Sequence, residues 1–270
     1  MTLTTRRDGR VLILSRHRPE ARNAMDPESA KALYEALLAY DADPEADCAV
    51  LYGEGGAFCA GWDLAFAQTL TDRARFESEV IEPHAFPGDD KKPSPGPMGP
   101  TRLELSKPVI AAIEGPAVAG GMEIALWCDL RVMAEDAYFG VYCRRWGIPL
   151  VDGGAVRLPR MVGLGRALDI ILTGRKVPAE EAERIGLCER IVPRGEALDA
   201  AIALAHELVR FPQAALRADR RTAFESGGHT LREAMRREWA GGIEAHFAEG
   251  AAGAARFKSG KGRHGGFDDI

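Results

Sequence analysis

Two short glycine-containing segments have the composition of an anion-binding site. The first is Phe58–Leu64, with the sequence FCAGWDL, and the second is Gly115–Glu123, with the sequence GPAVAGGME. Each follows a predicted strand and leaves a backbone N–H free where a helix is predicted to begin. Two such N–H groups directed at one point form an oxyanion hole. Together the segments predict an enzyme that stabilises an enolate-like anion.

The second segment also contains a carboxylate. Gly120 and Gly121 allow the backbone to approach a ligand closely, and a helix that begins at about Gly121 presents the positive end of its dipole there. Glu123 then lies in the first helical turn, where it is a candidate general acid or base. Taken alone, this segment fits two interpretations equally well: an anion-binding site, or an ordinary glycine turn that leads into a helix with Glu123 on its surface. The first segment, taken alone, is more typical of a loop after a strand.

The bulk composition excludes several classes of protein. The 270 residues suffice for one large core, with or without an appendage. The net charge is −5 and no segment is rich in arginine or lysine, which argues against a nucleic-acid partner. No run of about 18 apolar residues predicts a membrane span, and the first nine residues lack the apolar core of a signal peptide. The five scattered cysteines suggest reduced thiols in a cytoplasmic compartment.

The elements that must position these segments form an α/β chain. Apolar runs predict strands at Val11–Ser15, Cys48–Tyr52 and Pro108–Ile113, and a helix is predicted from Pro27. The apolar face of this helix consists of Ala30, Leu33, Tyr34, Leu37 and Leu38. Because strand, glycine turn and helix recur, we expect the strands to be buried.

An irregular segment interrupts this pattern between the second and third predicted strands. Asp89–Pro100 contains four prolines and two glycines, a composition that is incompatible with a helix or a central strand. A long loop in a compact domain is often functional. An exposed surface excursion fits the composition equally well.

The C-terminal part of the chain is predicted to be helical. Helices are expected at Gly165–Leu172, Pro178–Ile185, Ala197–Val209 and from Thr230 onward. The last helix carries an apolar stripe formed by Leu231, Met235, Trp239, Ile243 and Phe247. Such a stripe requires a partner surface, either on the core or on another subunit.

An ordered series of motifs resembles the crotonase, or enoyl-CoA hydratase/isomerase, superfamily. The matching segments are 18–24 (RPEARNA), 58–64 (FCAGWDL), 107–115 (KPVIAAIEG), 120–126 (GGMEIAL), 128–129 (CD), 157–163 (RLPRMVG), 172–174 (LTG) and 182–187. The resemblance implies an α/β fold in which a spiral of ββα repeats is followed by C-terminal helices. We therefore expect a catalytic core at residues 1–195 and a helical region for oligomerisation or active-site cover at 196–270.

The resemblance also implies a substrate and a set of binding residues. The substrate is an acyl-CoA thioester, with CoA as part of the substrate and no separate cofactor, and the expected assembly is a homotrimer or a dimer of trimers. Trp62 and Gly120 correspond to the oxyanion donors of the family. The positions that correspond to the CoA path are Ala21, Arg22, Ala60, Asp63, Leu64, Phe257 and Lys258. For Arg22, a solvated surface arginine is the default interpretation.

The chain departs from the family pattern at the second catalytic position. Hydratases of this family use two glutamates around a water molecule. Glu123 corresponds to the first glutamate, whereas Cys143 occupies the position of the second. A thiol is a poorer acid or base than a carboxylate near pH 7. Arg144 and Arg145 are candidates to lower its pKa and create a nucleophile, although a small pocket-wall residue is the commoner role of a free cysteine.

Asp152 is a second candidate for the missing carboxylate. It lies in the segment 151–154 (VDGG), which corresponds to a loop that lines the acyl pocket in relatives. An equally good alternative is that Asp152 caps the helix predicted after Gly154.

Other chemistries lack the required motifs. Gly163-Leu164-Gly165 lacks the third glycine of a dinucleotide fingerprint. There is no GxSxG, HExxH or clustered Cys/His motif, which argues against a serine hydrolase and a metal site. The nominal prediction is an enoyl-CoA hydratase. Isomerisation, decarboxylation or thioester hydrolysis of an atypical acyl-CoA, and a catalytically silent thioester-binding protein, remain alternatives.

Overall fold

The computed structural model of the chain describes residues 2–86 and 94–267. The predicted irregular segment is therefore described from Ser94 onward, and its part from Asp89 to Pro93 lies outside the described residues. The chain divides into two compact units, Met1–Ala205 and His206–Ile270. The roles expected for the regions before and after residue 195 remain predictions.

The strands of the described residues form two sheets in the first unit. They are β1 (Thr2–Asp8), β2 (Val11–His17), β3 (Cys48–Gly53), β4 (Val109–Ile113), β5 (Pro116–Val118), β6 (Leu130–Ala134), β7 (Tyr138–Gly140), β8 (Lys176–Pro178) and β9 (Arg190–Val192). The larger sheet has the order β1-β2-β3-β4-β6-β9 and the smaller sheet the order β5-β7-β8. In the larger sheet only β1 and β2 are antiparallel.

Helices connect these strands and form the second unit. They are α1 (Pro27–Ala42), α2 (Leu64–Ala67), α3 (Arg73–Phe76), α4 (Gly120–Trp127), α5 (Gly154–Val162), α6 (Leu164–Thr173), α7 (Ala179–Ile185), α8 (Ala197–Val209), α9 (Gln213–Glu225), α10 (Leu231–Ala245) and α11 (Ala251–Lys258). A π-helical turn, Glu77–Ile81, follows α3. Within the described ranges, no helix combines the length and the hydrophobicity that a membrane span requires.

The predicted strands and helices of the first unit are present, with bounds that differ by a few residues. The inner parallel strands β3 and β4 are buried on both faces, as parallel strands usually are. Helix α1 begins as expected, because the Asp26 carboxylate accepts the Ser29 N–H and Pro27 occupies the first turn. Its apolar face differs from the prediction. Leu38 is exposed, whereas Tyr40 is buried and its hydroxyl donates to the Pro108 carbonyl at 2.7 Å.

The second unit contains a helical pair. Helices α9 and α10 pack against each other, and Thr230 caps α10 by accepting the Glu233 N–H. The Glu249 carboxylate accepts the Ala214 N–H at 2.9 Å and thereby satisfies a donor in the first turn of α9.

The backbone joins the two glycine-containing segments in the first unit. The Cys59 N–H donates to the Pro116 carbonyl at 3.1 Å, and the Val118 N–H donates to the Cys59 carbonyl at 3.0 Å. Two segments that are distant in the sequence are therefore paired like neighbouring strands. This pairing brings the residues after Cys59 next to the start of the buried helix α4.

Candidate functional site

One cavity in the first unit collects most of the predicted site residues. It has a volume of about 730 Å³. The predicted residues that line it are Arg22, Ala60, Trp62, Leu64, Gly120, Glu123, Cys143 and Asp152. Much of the remaining wall is apolar or aromatic and includes Phe76, Ile81, Phe86, Tyr138, Tyr142 and Trp146. A mostly apolar cavity with a few convergent polar groups is typical of a small-molecule site.

The amides of Trp62 and Gly120 are available to a ligand. In the part of the chain that the structure describes, neither N–H donates to another protein group. A Cβ atom at Gly61 would lie 3.1 Å from the Gly120 nitrogen and 2.9 Å from the Ala119 Cβ. Because residue 61 has no side chain, the segment that carries the Trp62 amide can approach the Gly120 amide closely.

The backbone is strained immediately before the Gly120 amide. Ala119, the N-cap residue of α4, has φ 52° and ψ −125°, which is unfavourable for a residue with a Cβ atom and costs on the order of 1–3 kcal/mol. The Ala119 N–H donates to the Gly140 carbonyl at 2.8 Å, which helps to hold this conformation. Strain of this kind is concentrated at functional sites.

Glu123 is buried in the first turn of α4, at the cavity wall. Its Oε1 atom accepts the Asp152 N–H at 2.9 Å and the Gly154 N–H at 2.8 Å. Burial, followed by the negative charge of Asp152, raises the pKa of Glu123 from 4.5 to about 7. A carboxyl group with a pKa near 7 exchanges protons readily in both directions at neutral pH.

Cys143 also lines the cavity, in a 3-10 turn that comprises Tyr142–Trp146. The hypothesis that its arginine neighbours activate the thiol is wrong. Burial and the Glu123 carboxylate raise the pKa of Cys143, and Arg144 offsets only part of this effect. The Arg144 Nε donates to the Ile171 carbonyl at 3.3 Å, and the Arg145 guanidinium lies 4.4 Å from the Tyr142 ring centre. Cys143 therefore presents a neutral thiol to the cavity near pH 7.

Asp152 lies at the cavity wall but does not cap a helix. The N-cap of α5 is Gly153, with φ 96° and no capping side chain, so the capping alternative is wrong. The Asp152 Oδ1 atom instead accepts the Met98 N–H at 3.1 Å and the Thr101 hydroxyl. Burial raises the pKa of Asp152, and these two hydrogen bonds partly oppose the rise.

The residues predicted to contact CoA are only partly brought together. Arg22 is exposed at the cavity, and its carbonyl accepts the Ala60 N–H at 3.0 Å. Ala21 does not line the cavity. The Asp63 carboxylate caps α2 through the Ala65 N–H and pairs with Arg18 at 2.6 Å. The CoA contacts of this group remain predictions.

Phe257 and Lys258 end helix α11 in the second unit. The Arg263 guanidinium lies 5.3 Å from the centre of the Phe257 ring. The contact of these two residues with CoA also remains a prediction.

Several residues of the site had no distinguishing pattern in the sequence. Met98 and Thr101 bind Asp152, and Arg157 donates to the carbonyls of Asp152 and Thr101 at 2.9 and 2.6 Å. Arg102 lines the cavity and donates to the His84 carbonyl at 2.6 Å. A lone methionine, threonine or arginine is uninformative in a sequence, because its role here depends on contacts with other segments, such as those of Met98 and Thr101 with Asp152, which lie 54 and 51 residues apart in the sequence.

The chain is similar to known proteins over most of its length. The family model described as enoyl-CoA hydratase/isomerase matches residues 6–84 and 101–239. The chain is 40% identical over 206 residues to the enoyl-CoA hydratase EchA19 of Mycobacterium tuberculosis, which covers 74% of this chain and 71% of that protein. It is 38% identical over 205 residues to the carnitinyl-CoA dehydratase of Salmonella agona, which covers 75% of this chain and 72% of that protein.

Solved structures show the same similarity. The crystal structure of an enoyl-CoA hydratase from Mycobacterium tuberculosis matches with a TM-score of 0.84 and 34% identity, and the match covers 95% of both chains. The expected crotonase-like α/β fold is thereby confirmed. The chain belongs to the enoyl-CoA hydratase/isomerase family, in the crotonase superfamily, and is an enzyme of that family.

Proposed function

We propose that this enzyme transfers protons on an acyl-CoA thioester, with hydration of a 2-enoyl-CoA as its nominal reaction. One observation carries the proposal. A buried carboxyl group with a pKa of about 7, that of Glu123, lines the same apolar cavity as the two available amides of Trp62 and Gly120. The pair of amides suits a thioester oxygen that gains negative charge, and the carboxyl group suits the proton that is exchanged.

The reaction follows from this arrangement. The thioester oxygen accepts hydrogen bonds from the N–H groups of Trp62 and Gly120. These bonds stabilise the enolate that forms when the water oxygen adds to C3. Ionised Glu123 accepts a proton from the water molecule whose oxygen adds to C3. Protonated Glu123 then delivers a proton to C2, which restores the carboxylate. Arg22, Ala60 and Leu64 line the same cavity and are available to the CoA portion of the thioester.

Double-bond isomerisation is a second candidate, and Cys143 is the observation that favours it. The hydratases that this chain resembles use two carboxylates. In this chain Cys143 presents a neutral thiol at the second of these positions. Isomerisation requires only that one group remove a proton from one carbon atom of the acyl chain and return it to another. Glu123 alone is sufficient for that exchange.

A panel of CoA thioesters tests both reactions. The panel contains 2-enoyl, 3-enoyl and 3-hydroxyacyl substrates of increasing acyl size, and product formation is followed with wild type and Glu123→Gln. We expect the variant to lose about 10²–10⁴-fold in rate on every active substrate, because general acid–base catalysis typically contributes that much.

Glu114→Gln is a matched control for this experiment. Glu114 is also a buried glutamate that accepts backbone N–H groups, those of Gly195 and Ala197, but it does not line the cavity. We expect this variant to retain wild-type turnover. Equal rates of wild type and Glu123→Gln on every substrate would contradict the proposed role of Glu123. Thioester binding without any turnover would identify a silent binder.

A further inference from the structure

Asp152 connects Glu123 with the turn formed by residues 96–101. We propose that Asp152 is a positioning residue, which holds the Glu123 carboxylate through its backbone amide and the 96–101 turn through its side chain. The inference rests on the proposed function, because it concerns the geometry of Glu123 and of the Gly120 amide.

The first half of this connection is a direct contact with Glu123. The Asp152 N–H donates to the Glu123 Oε1 atom at 2.9 Å, next to the parallel bond from the Gly154 N–H. Both donors are backbone groups, so their positions depend on the path of the chain at residues 152–154. A displacement of Asp152 therefore displaces the oxygen atom of Glu123.

The second half is a contact with the 96–101 turn. The Asp152 Oδ1 atom accepts the Met98 N–H and the Thr101 hydroxyl, and all three residues are buried. Reciprocal backbone bonds between Gly96 and Gly99, at 3.0 and 2.8 Å, close the turn. Gly96 has no side chain at the point where a Cβ atom would collide with Asp152 and Thr101.

The 96–101 turn also contacts Gly120, one of the two predicted oxyanion donors. The Met98 side chain packs against Gly120 so closely that a Cβ atom at residue 120 would lie 2.7 Å from the Met98 Cγ atom. Asp152 thus contacts Glu123 through its backbone amide. Its side chain binds Met98, and the Met98 side chain packs against Gly120. Two of the three groups that the proposed reaction uses, the Glu123 carboxylate and the Gly120 amide, are thus connected through one residue.

Arg157 reinforces this connection from helix α5. Its guanidinium donates to the Asp152 carbonyl at 2.9 Å and to the Thr101 carbonyl at 2.6 Å. The guanidinium therefore bridges the same two segments that the Asp152 carboxylate joins. Two independent links between residues 101 and 152 indicate that their separation is structurally defined.

The charges around the pair define a measurable consequence. Glu123 faces Asp152, Arg157 and Cys143, and Asp152 faces Arg102 and His84. The Asp152 charge raises the pKa of Glu123, whereas Arg157 lowers it. Replacement of the Asp152 carboxylate by a neutral acceptor therefore lowers the pKa of Glu123 and leaves the turn attached.

Asp152→Asn and Asp152→Ala separate positioning from proton transfer. The asparagine retains an oxygen acceptor for Met98 and Thr101, whereas the alanine does not. We expect kcat of Asp152→Asn at high pH to stay within about threefold of wild type, with the midpoint of the kcat/KM profile moved to lower pH. We expect Asp152→Ala to lose about tenfold to 10²-fold in kcat, because small displacements of reacting groups have effects of that size.

A pair of variants at Thr101 tests the turn without a change at Asp152. Thr101→Ser retains the hydroxyl and is expected to remain near wild type, whereas Thr101→Val is expected to lose about tenfold in kcat. Asp47→Asn is the matched control for the loss of a buried aspartate, because Asp47 pairs with Arg10 and does not line the cavity. If Asp152→Ala fails to fold, Asp152→Asn and the Thr101 pair decide the question.

Two results would overturn the inference. An equal loss of 10²-fold or more in Asp152→Asn and Asp152→Ala, at every pH, would make Asp152 a proton-transfer group. Wild-type kcat and an unchanged pH midpoint in both Asp152 variants would leave it without a role.

Failure of the proposed function is detected separately. Glu123→Gln with full activity would refute the proposed role of Glu123. The coupling between Asp152 and Glu123 is measured independently of turnover by a double-mutant cycle. The effect of Glu123→Gln on the pH dependence of unfolding is determined once in wild type and once in Asp152→Asn. An effect of Glu123→Gln that is the same in both backgrounds would contradict the connection itself.

Discussion

Glu123 and Cys143 face the same cavity from two differently built walls. Glu123 has two backbone amides on one carboxylate oxygen and a pKa of about 7. Cys143 has a raised pKa, and its two arginine neighbours make contacts elsewhere. The comparison teaches that the pKa of a group at this cavity depends on its surroundings rather than on its charged sequence neighbours. Burial and the negative charge of Asp152 raise the pKa of Glu123, whereas its two backbone donors partly oppose this rise.

The local backbone explains the difference. Glu123 follows the strained Ala119 in the first turn of the buried helix α4 and faces Gly154, which has no side chain to displace it. Cys143 lies in a short 3-10 turn, where the Glu123 charge further disfavours the thiolate. We therefore expect proton exchange to occur at Glu123 rather than at Cys143.

The largest effect that we expect from this comparison concerns the pH dependence of stability. The folded protein holds the Glu123 proton up to about pH 7, whereas the unfolded chain releases it near pH 4.5. Between these values unfolding releases a proton, so stability falls as pH rises. A tenfold change in proton affinity is about 1.4 kcal/mol, so Glu123→Gln should gain about 3 kcal/mol relative to wild type between pH 4 and pH 8.

Urea unfolding at a series of pH values measures this gain. Cys143→Ser is the matched variant on the other wall. Because the Cys143 thiol is neutral at both pH 4 and pH 8, its stability difference from wild type should stay constant over this range. A difference between Glu123→Gln and wild type that does not vary with pH would contradict the raised pKa of Glu123.

The next effect concerns the space that Glu123 occupies. A Cβ atom at Gly154 would lie 2.9 Å from the Glu123 Cγ atom and 3.1 Å from its Oε1 atom. Gly154→Ala should therefore displace the carboxylate and reduce kcat by about 10²-fold, the effect of a displacement of about 1 Å. Steady-state kinetics on the best substrate of the panel measures the loss.

Gly165→Ala is the matched control for Gly154→Ala. Gly165 lies in the first turn of α6, and a Cβ atom there would have no neighbour within 4 Å. We expect this variant to retain wild-type kcat. Full activity of Gly154→Ala would show that the Glu123 carboxylate tolerates this crowding. It would contradict the explanation that the absence of a side chain at Gly154 positions Glu123.

The smallest effect is a gain of function on the thiol wall. Wild type should hydrate crotonyl-CoA weakly, because only one of the two carboxylates expected from the family resemblance is present. Cys143→Glu should raise this rate by about tenfold, a modest part of what a general acid or base contributes. Cys143→Gln has the same size without the acid and should not raise it.

Crotonyl-CoA hydration assayed across these three proteins checks the prediction. An equal increase in Cys143→Glu and Cys143→Gln would point to the shape of the cavity rather than to a second acid. A wild-type rate equal to that of a two-carboxylate hydratase would show that the thiol wall does not limit the reaction.

Much of the first unit was predictable from local patterns. The strands around Val50 and Ile110 are continuous apolar runs, which is typical of buried parallel strands. The start of α1 follows from Asp26 and Pro27, whose effects act within one turn. The burial of the Tyr40 hydroxyl was not predictable, because its acceptor is the Pro108 carbonyl, 68 residues away.

The chemistry of the second wall was less predictable. Adjacent arginines suggested an activated Cys143, but the direction of a pKa shift depends on burial and on where each guanidinium points. Asp152 two residues before α5 suggested a helix cap, but its side chain reaches Met98 and Thr101 instead. Side-chain direction is a property of the packed structure and is not contained in the spacing of residues.

The sequence by itself determined the local features from which we predict an anion-binding site. Glycines at 61, 120 and 121, and a glutamate three residues after Gly120, are local features whose effect depends on backbone freedom and helix geometry. Tertiary structure alone decided what surrounds them. The pairing of Cys59 with Pro116 and Val118, the burial that raises the pKa of Glu123, and the link from Asp152 to Met98 all join distant segments. Electrostatics and hydrogen bonding act through space, so the pKa shifts of Glu123, Cys143 and Asp152 depend on the packed fold.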